Sequence, residues 1–328
     1  MHLGFLLTFL VRRLSQGVVI VLLVSFGIFA ALRLIPDDPV RIVLGPMASD
    51  AVVQAMAQKM GLRDSIGVQY VRWLGQVARG NLGNSFIVTK SGSETGGARD
   101  MSMLGEKARV GDLLASTVPL TLQLAGLALA FTMFLSIPLG VAAGLAPGRW
   151  PDRLALYLGS VFVSVPNFWF AVMIALVVTA RLHLIPSIGY EGFAYTILPA
   201  IVIAVELSPI FIRALSVSIA DVSRQNFVAL GAVRGLTRRR IFLHHIARNA
   251  AIPILNLFGI EVGALLGGVL IVEYIFNYPG FGLLAVHAIL QRDFPVIQGV
   301  ALLVSALFVV VNIVVDLIST TIDPRLEY

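Results

Sequence analysis

The chain has 328 residues, of which 58% are hydrophobic and 13% are charged, and its mean hydropathy is +0.90. Soluble domains are about 45–50% apolar and about 25% charged, so an ordinary soluble fold is excluded and a polytopic membrane protein is indicated. The chain contains no cysteine, which excludes disulfides, thiolate catalysis and cysteine-ligated metals. A formal net charge of +6 raises the question of nucleic-acid binding, which the positions of the basic residues answer below.

A membrane-spanning helix needs about 20 mostly apolar residues. Six stretches meet this requirement, and the predicted spans are 14–35, 118–145, 155–180, 197–218, 254–273 and 298–320. The first stretch is longer than the apolar core of a signal peptide, which has about 7–15 residues, so we interpret it as an uncleaved anchor. The predicted fold class is therefore an all-α membrane protein with six transmembrane helices.

The distribution of arginine predicts the orientation. The arginines beside the first span and between the second and third are Arg12, Arg13, Arg149 and Arg153, and the connection 219–253 is strongly basic. The opposite loops, 181–196 and 274–297, carry one arginine each. Basic residues concentrate in cytoplasmic loops. We therefore predict cytoplasmic termini (1–13 and 321–328), an external segment (36–117) and a five-helix core (118–320).

The external segment 36–117 is unusually long. Its pattern predicts short helices over Asp50–Met60 and Ser65–Arg79, and Gly61 ends the first of them. The apolar positions of the second are Val68, Val71, Trp73 and Leu74. Residues 87–112 are rich in Gly, Ser and charge, which predicts a mobile loop. The segment is either a solvated connection or an outer docking surface or gate.

Residues 273–282, between the last two spans, combine turn-forming and aromatic residues. Pro279-Gly280 and Gly282 favour turns. The aromatic residues are Tyr274, Phe276, Tyr278 and Phe281, a composition found at membrane interfaces. Two interpretations stay open, an aromatic belt and a re-entrant turn.

The most informative connection lies between Arg224 and Arg248, which holds six arginines and no acidic residue. These arginines are Arg224, Arg234, Arg238, Arg239, Arg240 and Arg248. Their excess equals the net charge of the whole chain. Cytoplasmic anchoring and contact with anionic lipid account for it, so we expect no nucleic-acid partner.

The same connection is also patterned as helices. Asn226 can cap a short helix that runs through Val233, and Gly235 can end it. Thr237 can cap a further helix that enters the fifth span and is broken near Pro253. A plain amphipathic loop would explain this pattern. So would a helix that lies across the cytoplasmic face and receives force from a soluble partner.

These residues resemble a known family. Gly235-Leu236-Thr237, Arg240, Arg248-Asn249-Ala250 and Pro253 resemble the cytoplasmic coupling loop of ABC-importer permeases of the dipeptide, oligopeptide and nickel class. Further stretches resemble the same family in order: Ile35–Val40, Gly80–Ser85, Glu273–Phe276, Pro279–Gly282, Arg292–Gly299, Asn312, Asp316 and Asp323-Pro324-Arg325. The family's Glu-Ala-Ala positions fall on Ala229, Leu230 and Gly231, so the acidic residue of that motif is absent.

The resemblance implies a type I ABC-importer permease fold and a heteromeric complex in a bacterial inner membrane. The implied partners are a second homologous permease, two cytoplasmic ATP-binding subunits (or one chain with two ATPase domains), and an extracytoplasmic solute-binding protein. The implied substrate is a di- or oligopeptide, with nickel or a metal chelate, glutathione and opine-like solutes as alternatives. The candidate ATPase-coupling residues are Asn226, Phe227, Val228, Leu230, Arg234, Gly235, Leu236 and Arg240.

The sequence favours a transport subunit over an enzyme. A phosphate-binding P-loop needs Gly-Lys-Ser/Thr, but Lys59, Lys90 and Lys107 follow Gln58, Thr89 and Glu106. We expect no catalytic residues, cofactor or metal site. A secondary transporter driven by an ion gradient is the less favoured alternative, because neither inverted repeats nor ion ligands at the membrane midplane are evident. A membrane scaffold is a third possibility.

Two acidic residues fall inside predicted spans, Glu206 and Glu261. Ionisable groups in a bilayer are costly and usually face protein or a water-filled cavity. We treat both as candidate pathway-lining residues. The alternative is a structural pair, for example with Arg213 or with a partner chain.

Overall fold

The structure is a computed structural model that describes residues 3–34, 40, 47–59, 62–89 and 106–322. Four predicted features lie wholly or mostly outside these residues. They are the turn after the first span (36–39), the helix stop at Gly61, most of the predicted loop 87–112, and the C-terminal Asp323-Pro324-Arg325.

The described chain is mainly helical. In order, its elements are α1 (Leu3–Leu34), α2 (Asp50–Lys59), α3 (Ile66–Val77), β1 (Asn84–Thr89), β2 (Lys107–Arg109), α4 (Val110–Leu145), α5 (Trp150–Ser164), α6 (Asn167–Ile174), α7 (Ala194–Ser223), α8 (Asn226–Val233), α9 (Arg238–Ile241), α10 (Ala247–Phe276), α11 (Phe281–Gln291) and α12 (Phe294–Ile322). Two π-helical segments complete it, one after α6 (Ala175–Arg181) and one between α9 and α10 (Phe242–Ile246).

Within the described residues, five helices are long and apolar enough to cross a membrane. They are Thr8–Leu34, Val110–Leu145, Ala194–Ser223, Arg238–Phe276 and Phe294–Thr320. The pair Trp150–Ser164 and Asn167–Arg181 makes a sixth candidate, bent by 91°. The predicted fold class, an all-α membrane protein with six spans, is confirmed when the bent pair counts as one span.

Pro166 breaks one of the predicted spans, whereas Pro253 does not break the helix that contains it. The span predicted at 155–180 breaks at Pro166, which lacks the N–H that would continue the helix. The break predicted near Pro253 is wrong, because α10 continues through that residue. The irregular turn lies earlier, in the π-helical segment Phe242–Ile246. A single proline removes one backbone hydrogen bond, which a long apolar helix tolerates.

The described chain divides into two compact units. The first contains residues 1–121 and 279–309, and the second contains residues 122–278 and 310–328. In the first unit α1 packs against α3 around Tyr70, whose hydroxyl lies 2.8 Å from Ser25 Oγ and donates to the Leu22 carbonyl at 3.0 Å. The rings of Phe26 and Phe29 meet Tyr70 edge-on, at centroid distances of 5.1 and 5.5 Å.

The predicted apolar face of the second short helix is only partly correct. Trp73 and Leu74 are half-buried as predicted, but Val68 and Val71 are exposed, at 50% and 67%. Tyr70 is buried in their place. An aromatic side chain that packs onto α1 fixes the rotation of the helix more strongly than two valines do.

The predicted mobile loop 87–112 is wrong at both of its described ends. β1 and β2 form a two-stranded antiparallel sheet in which Asn84 pairs with Arg109, and α4 begins at Val110. The Gly- and Ser-rich composition that favoured a loop belongs mostly to residues 90–105, which lie outside the described residues.

A buried carboxylate joins this sheet to the start of α12. Asp293 is 1% exposed and accepts hydrogen bonds from the Ser85 hydroxyl and, at 3.1 Å, from the Phe86 backbone N–H. Ser85 Oγ in turn accepts from the Val88 N–H at 2.8 Å. Hydrogen bonds to a buried charge are about twice as strong as neutral ones. Two motifs about 200 residues apart in sequence, Gly80–Ser85 and Arg292–Gly299, therefore meet at one carboxylate.

We expect Asp293→Ala to destabilise the chain by about 3 kcal/mol, because it leaves the Ser85 hydroxyl and the Phe86 N–H buried without an acceptor. Asp293→Asn keeps one acceptor oxygen and should cost less. Thermal unfolding in mild detergent measures both. The exposed Asp64→Ala is the control and should stay within about 0.5 kcal/mol of the wild type. Equal unfolding midpoints for Asp293→Ala and this control would refute the role of the carboxylate.

In the second unit, glycine allows α4 and α7 to pack closely. A Cβ on Gly144 would lie 2.7 Å from the Ser216 carbonyl oxygen, and one on Gly140 would lie 2.6 Å from Leu215 Cβ. Small residues four apart permit this close approach of membrane helices.

The segment 273–282 does not form an aromatic belt. Phe276, Tyr278 and Phe281 are fully buried, and only Tyr274 is exposed. Asn277 ends α10 in the left-handed conformation, and the Tyr278 hydroxyl lies 3.2 Å from Thr196 Oγ1. The aromatic residues therefore serve packing within the protein.

Candidate functional site

The basic connection between α7 and α10 is folded around α8. This helix ends in a Schellman motif. The Leu236 N–H donates to the Gly231 carbonyl at 3.1 Å and the Gly235 N–H to the Ala232 carbonyl at 3.0 Å. Gly235 has φ +76, a conformation that costs a residue with a Cβ about 1–2 kcal/mol. The predicted stop at Gly235 is therefore confirmed.

The predicted caps have different outcomes. Thr237 caps α9, since its hydroxyl accepts from the Arg240 N–H at 3.4 Å. Asn226 does not cap α8, because Gln225 holds that position with extended backbone and makes no side-chain cap bond. Asn226 is instead the first helical residue and is exposed.

A small hydrophobic cluster fixes α8 to the ends of the neighbouring spans. Its buried residues are Ile219, Val222, Ile241, Ile246 and Ala250. Val228 and Leu236 pack against them, and Gly231 is buried beside Ile241. Of the predicted coupling residues, Val228 and Leu236 thus point inward and hold α8 in place. A force applied to α8 would pass through this cluster into α7 and α10.

The opposite side of α8 presents apolar side chains outward. Phe227 is 37% exposed, Leu230 is 55% exposed and Val233 is 84% exposed. Their spacing of three residues places them on one side of the helix, and we call these three residues the α8 apolar face. Val233 was not among the predicted coupling residues, although the three-residue spacing from Phe227 could have identified it.

The six arginines of the connection, among them Arg234 and Arg240, are all exposed. None of the six forms an ion pair with another residue in the described part of the chain. The connection that carries the α8 apolar face is therefore strongly positive, and Arg234 directly follows Val233 in sequence.

A second polar cluster lies where three helices of the same unit approach one another. Asn167, at the start of α6 directly after the break at Pro166, donates to Glu206 Oε2 at 3.0 Å. Glu261 on α10 is half-buried and lies within electrostatic range of the Glu206 carboxylate. The structure therefore brings both predicted pathway residues together. Sequence reasoning missed Asn167, for which Pro166 was the available signal.

The suggested structural pair of Glu206 with Arg213 is not formed within the described chain, where Asn167 is the partner of Glu206. Arg213 instead lines a cavity of about 480 Å³ between α5 and α7. Across the described ranges, no group of three or more His, Cys, Asp or Glu side chains is placed to hold a metal ion.

Two family descriptions match the chain. Residues 136–328 match "Binding-protein-dependent transport system inner membrane component", and residues 6–125 match the N-terminal part of the same kind of membrane component. Together the matches include the long external segment, both motifs joined by Asp293, and the whole α8 connection.

Similar proteins extend over the full length. The chain is 29% identical over 323 residues to the glutathione transport system permease protein GsiC of Salmonella paratyphi A, which covers 98% of this chain and 100% of that protein. It is 31% identical over 328 residues to the probable peptide ABC transporter permease protein y4tP of Sinorhizobium fredii. This match covers 98% of this chain and 99% of that protein.

A solved structure resembles part of the fold. An inward-facing form of the MetNI methionine ABC transporter superimposes with a TM-score of 0.55 at 18% identity, and the match covers 64% of this chain and 96% of that one. At this identity the likeness shows the fold alone, and it confirms the predicted type I importer permease fold.

Proposed function

We propose, because this chain belongs to the family of binding-protein-dependent transport system inner membrane components, that it forms half of the translocation pathway of an ATP-driven importer. It is a multi-pass inner-membrane protein. In the proposed complex it pairs with a second, homologous permease. ATP hydrolysis belongs to separate cytoplasmic subunits, since the sequence has no P-loop.

The observation that carries this proposal is the α8 apolar face on its anchored helix. Phe227, Leu230 and Val233 expose apolar surface at the end of two spans, while Val228 and Leu236 fix the helix from beneath. An exposed apolar patch of this kind is typical of a protein interface. We assign it to the ATPase subunits. Because the connection that carries it holds six arginines and no acidic residue, we infer that this side and both chain termini are cytoplasmic.

The proposed substrates are short peptides, including glutathione-like ones. The relatives named for glutathione and for peptides match this chain over nearly its full length. Two carboxylates in the spans, Glu206 and Glu261, suit the protonated amino group that such substrates carry. An extracytoplasmic solute-binding protein would deliver the substrate to the side opposite α8.

The test is gentle affinity purification of the chain from its native membrane, followed by mass spectrometry of what accompanies it. We expect a second six-span permease, ATPase subunits and a solute-binding protein. That binding protein is then assayed with dipeptides, glutathione and nickel. Recovery of the chain alone, from cells whose uptake depends on it, would refute the complex. A binding protein that takes only nickel would refute the substrate class.

A further inference from the structure

A cavity of about 230 Å³ lies in the first unit, and neither α8 nor Glu206 lines it. The end of α1, one side of α3 and the start of α12 line it, together with the residues that lead into β1. The lining residues used below are Phe29, Arg33, Gln69, Trp73 and Phe294. The space exceeds what one water molecule occupies.

Among the described residues, two buried polar atoms at this cavity have no hydrogen-bond partner, and one is an acceptor while the other is a donor. Gln69 is 8% exposed, and its Nε2 donates to the Leu62 and Asp64 carbonyls at 3.0 and 2.8 Å. These bonds fix the orientation of the amide, and its Oε1 is buried with no donor from the part of the chain that the structure describes. Arg33 Nε is also buried with no acceptor from any described residue, and its guanidinium lies over the Phe29 ring at 5.0 Å. Buried polar atoms are rarely left unpaired, so each calls for an explanation.

The position of the cavity at the ends of two spans indicates which class of ligand can reach it. Arg33 is the second-last residue of the first span, and Phe294 begins the last span. The ends of spans lie at the level of lipid headgroups, where aromatic residues such as Trp73 are common. Phospholipid phosphates are therefore the most concentrated anions at this site.

We propose that this cavity binds the headgroup of a membrane phospholipid. The phosphate accepts a charge-assisted hydrogen bond from Arg33 Nε. A donor further out on the headgroup, the ammonium of ethanolamine or a hydroxyl of glycerol, donates to Gln69 Oε1. Phosphatidylcholine offers the same phosphate, but its quaternary nitrogen has no N–H. The site therefore selects headgroups that can donate a hydrogen bond.

The experiment compares lipids on the purified, delipidated full chain. Phosphatidylethanolamine, phosphatidylglycerol and phosphatidylcholine with identical acyl chains are titrated in mild detergent, and bound lipid is counted by native mass spectrometry. For the wild type we expect the first two lipids to bind at least about tenfold more tightly than phosphatidylcholine. This comparison needs no variant. Equal affinity for all three lipids would overturn the proposal.

Two variants test the two proposed contacts, one at Arg33 and one at Gln69. Arg33→Met keeps a long apolar side chain against Phe29 and should weaken all three lipids about tenfold or more. Gln69→Leu should weaken only the two donor lipids and so remove the preference. Arg79→Met, an exposed arginine beyond the end of α3, is the matched control and should change nothing. Unchanged binding in Arg33→Met would overturn the proposal.

Free anions distinguish a lipid from a soluble ligand. Phosphoethanolamine and inorganic phosphate are added as competitors to the wild type. If the site holds a lipid, neither should displace phosphatidylethanolamine at millimolar concentration, because neither is held at the interface by acyl chains. Displacement by either one would identify a soluble phosphate site and overturn the lipid assignment.

Discussion

Leu230→Asn is expected to release the ATPase subunits from the permease and to abolish ATP-driven uptake, while the chain itself folds and inserts normally. Leu230 is 55% exposed at the centre of the α8 apolar face, so a polar replacement does not disturb the core. Covering a leucine at an interface contributes about 1.5–3 kcal/mol, and central apolar residues carry most of the binding energy of an interface. A loss of this size weakens association about 10- to 150-fold.

Co-purification of the ATPase subunits, together with ATP hydrolysis in the reconstituted complex, measures this effect. Leu184→Asn is the matched control, because Leu184 is 69% exposed and lies in the connection before α7, at the other end of that helix from α8. The control should retain both the subunits and the activity. Leu230→Asn with subunits and uptake both intact would show that α8 is not the docking surface.

Leu236→Ala tests the anchoring of α8 to the hydrophobic cluster beneath it, whereas Leu230→Asn tests the docking of the ATPase subunits on α8. Leu236 packs against the cluster beneath α8 and contacts the helix at Gly231. Its truncation should lower the unfolding temperature, as expected for a partly buried leucine, whereas Leu230→Asn should leave that temperature unchanged. The two variants therefore lose uptake for different, measurable reasons.

The sequence predicted the parts of this fold that depend on local rules. The spans follow from the length of the apolar stretches. The start of α9 follows from the capping side chain of Thr237. The end of α8 follows from Gly235, because its positive φ favours glycine. Each of these outcomes is decided within a few residues, so a single sequence is enough to anticipate it.

The sequence could not predict what tertiary packing decides. On α3, Tyr70 packs against α1 and the two valines are exposed, because the Tyr70 hydroxyl lies within hydrogen-bond distance of Ser25 Oγ. Asp293 becomes the acceptor for β1 across more than 200 residues. The same holds for Asn167, which becomes a partner of Glu206 only because the chain breaks at Pro166. The role of an isolated polar residue depends on neighbours that pattern analysis does not bring together.

Glu206→Gln is the second change with a large expected effect, a fall in peptide uptake of about tenfold or more with the ATPase subunits still bound. Glu206 is exposed on α7, its carboxylate accepts from Asn167 at 3.0 Å, and Glu261 on α10 lies within electrostatic range of it. Two carboxylates held near each other within the spans favour a cation between them. The protonated amino group of a peptide supplies that cation, and a hydrogen bond to a charged group contributes about 1.5–3 kcal/mol.

Uptake by reconstituted vesicles measures this, with Glu191→Gln as the matched control. Glu191 is also exposed, but it lies in a connection and accepts from the Tyr195 hydroxyl at 2.9 Å, so its substitution should leave uptake unchanged. N-acetylated peptides identify the contact, because they lack the amino charge. After correction for their affinity for the binding protein, they should be transported poorly by the wild type and be insensitive to Glu206→Gln. If Glu206→Gln slows free and acetylated peptides equally, Glu206 supports the helices and does not meet the substrate.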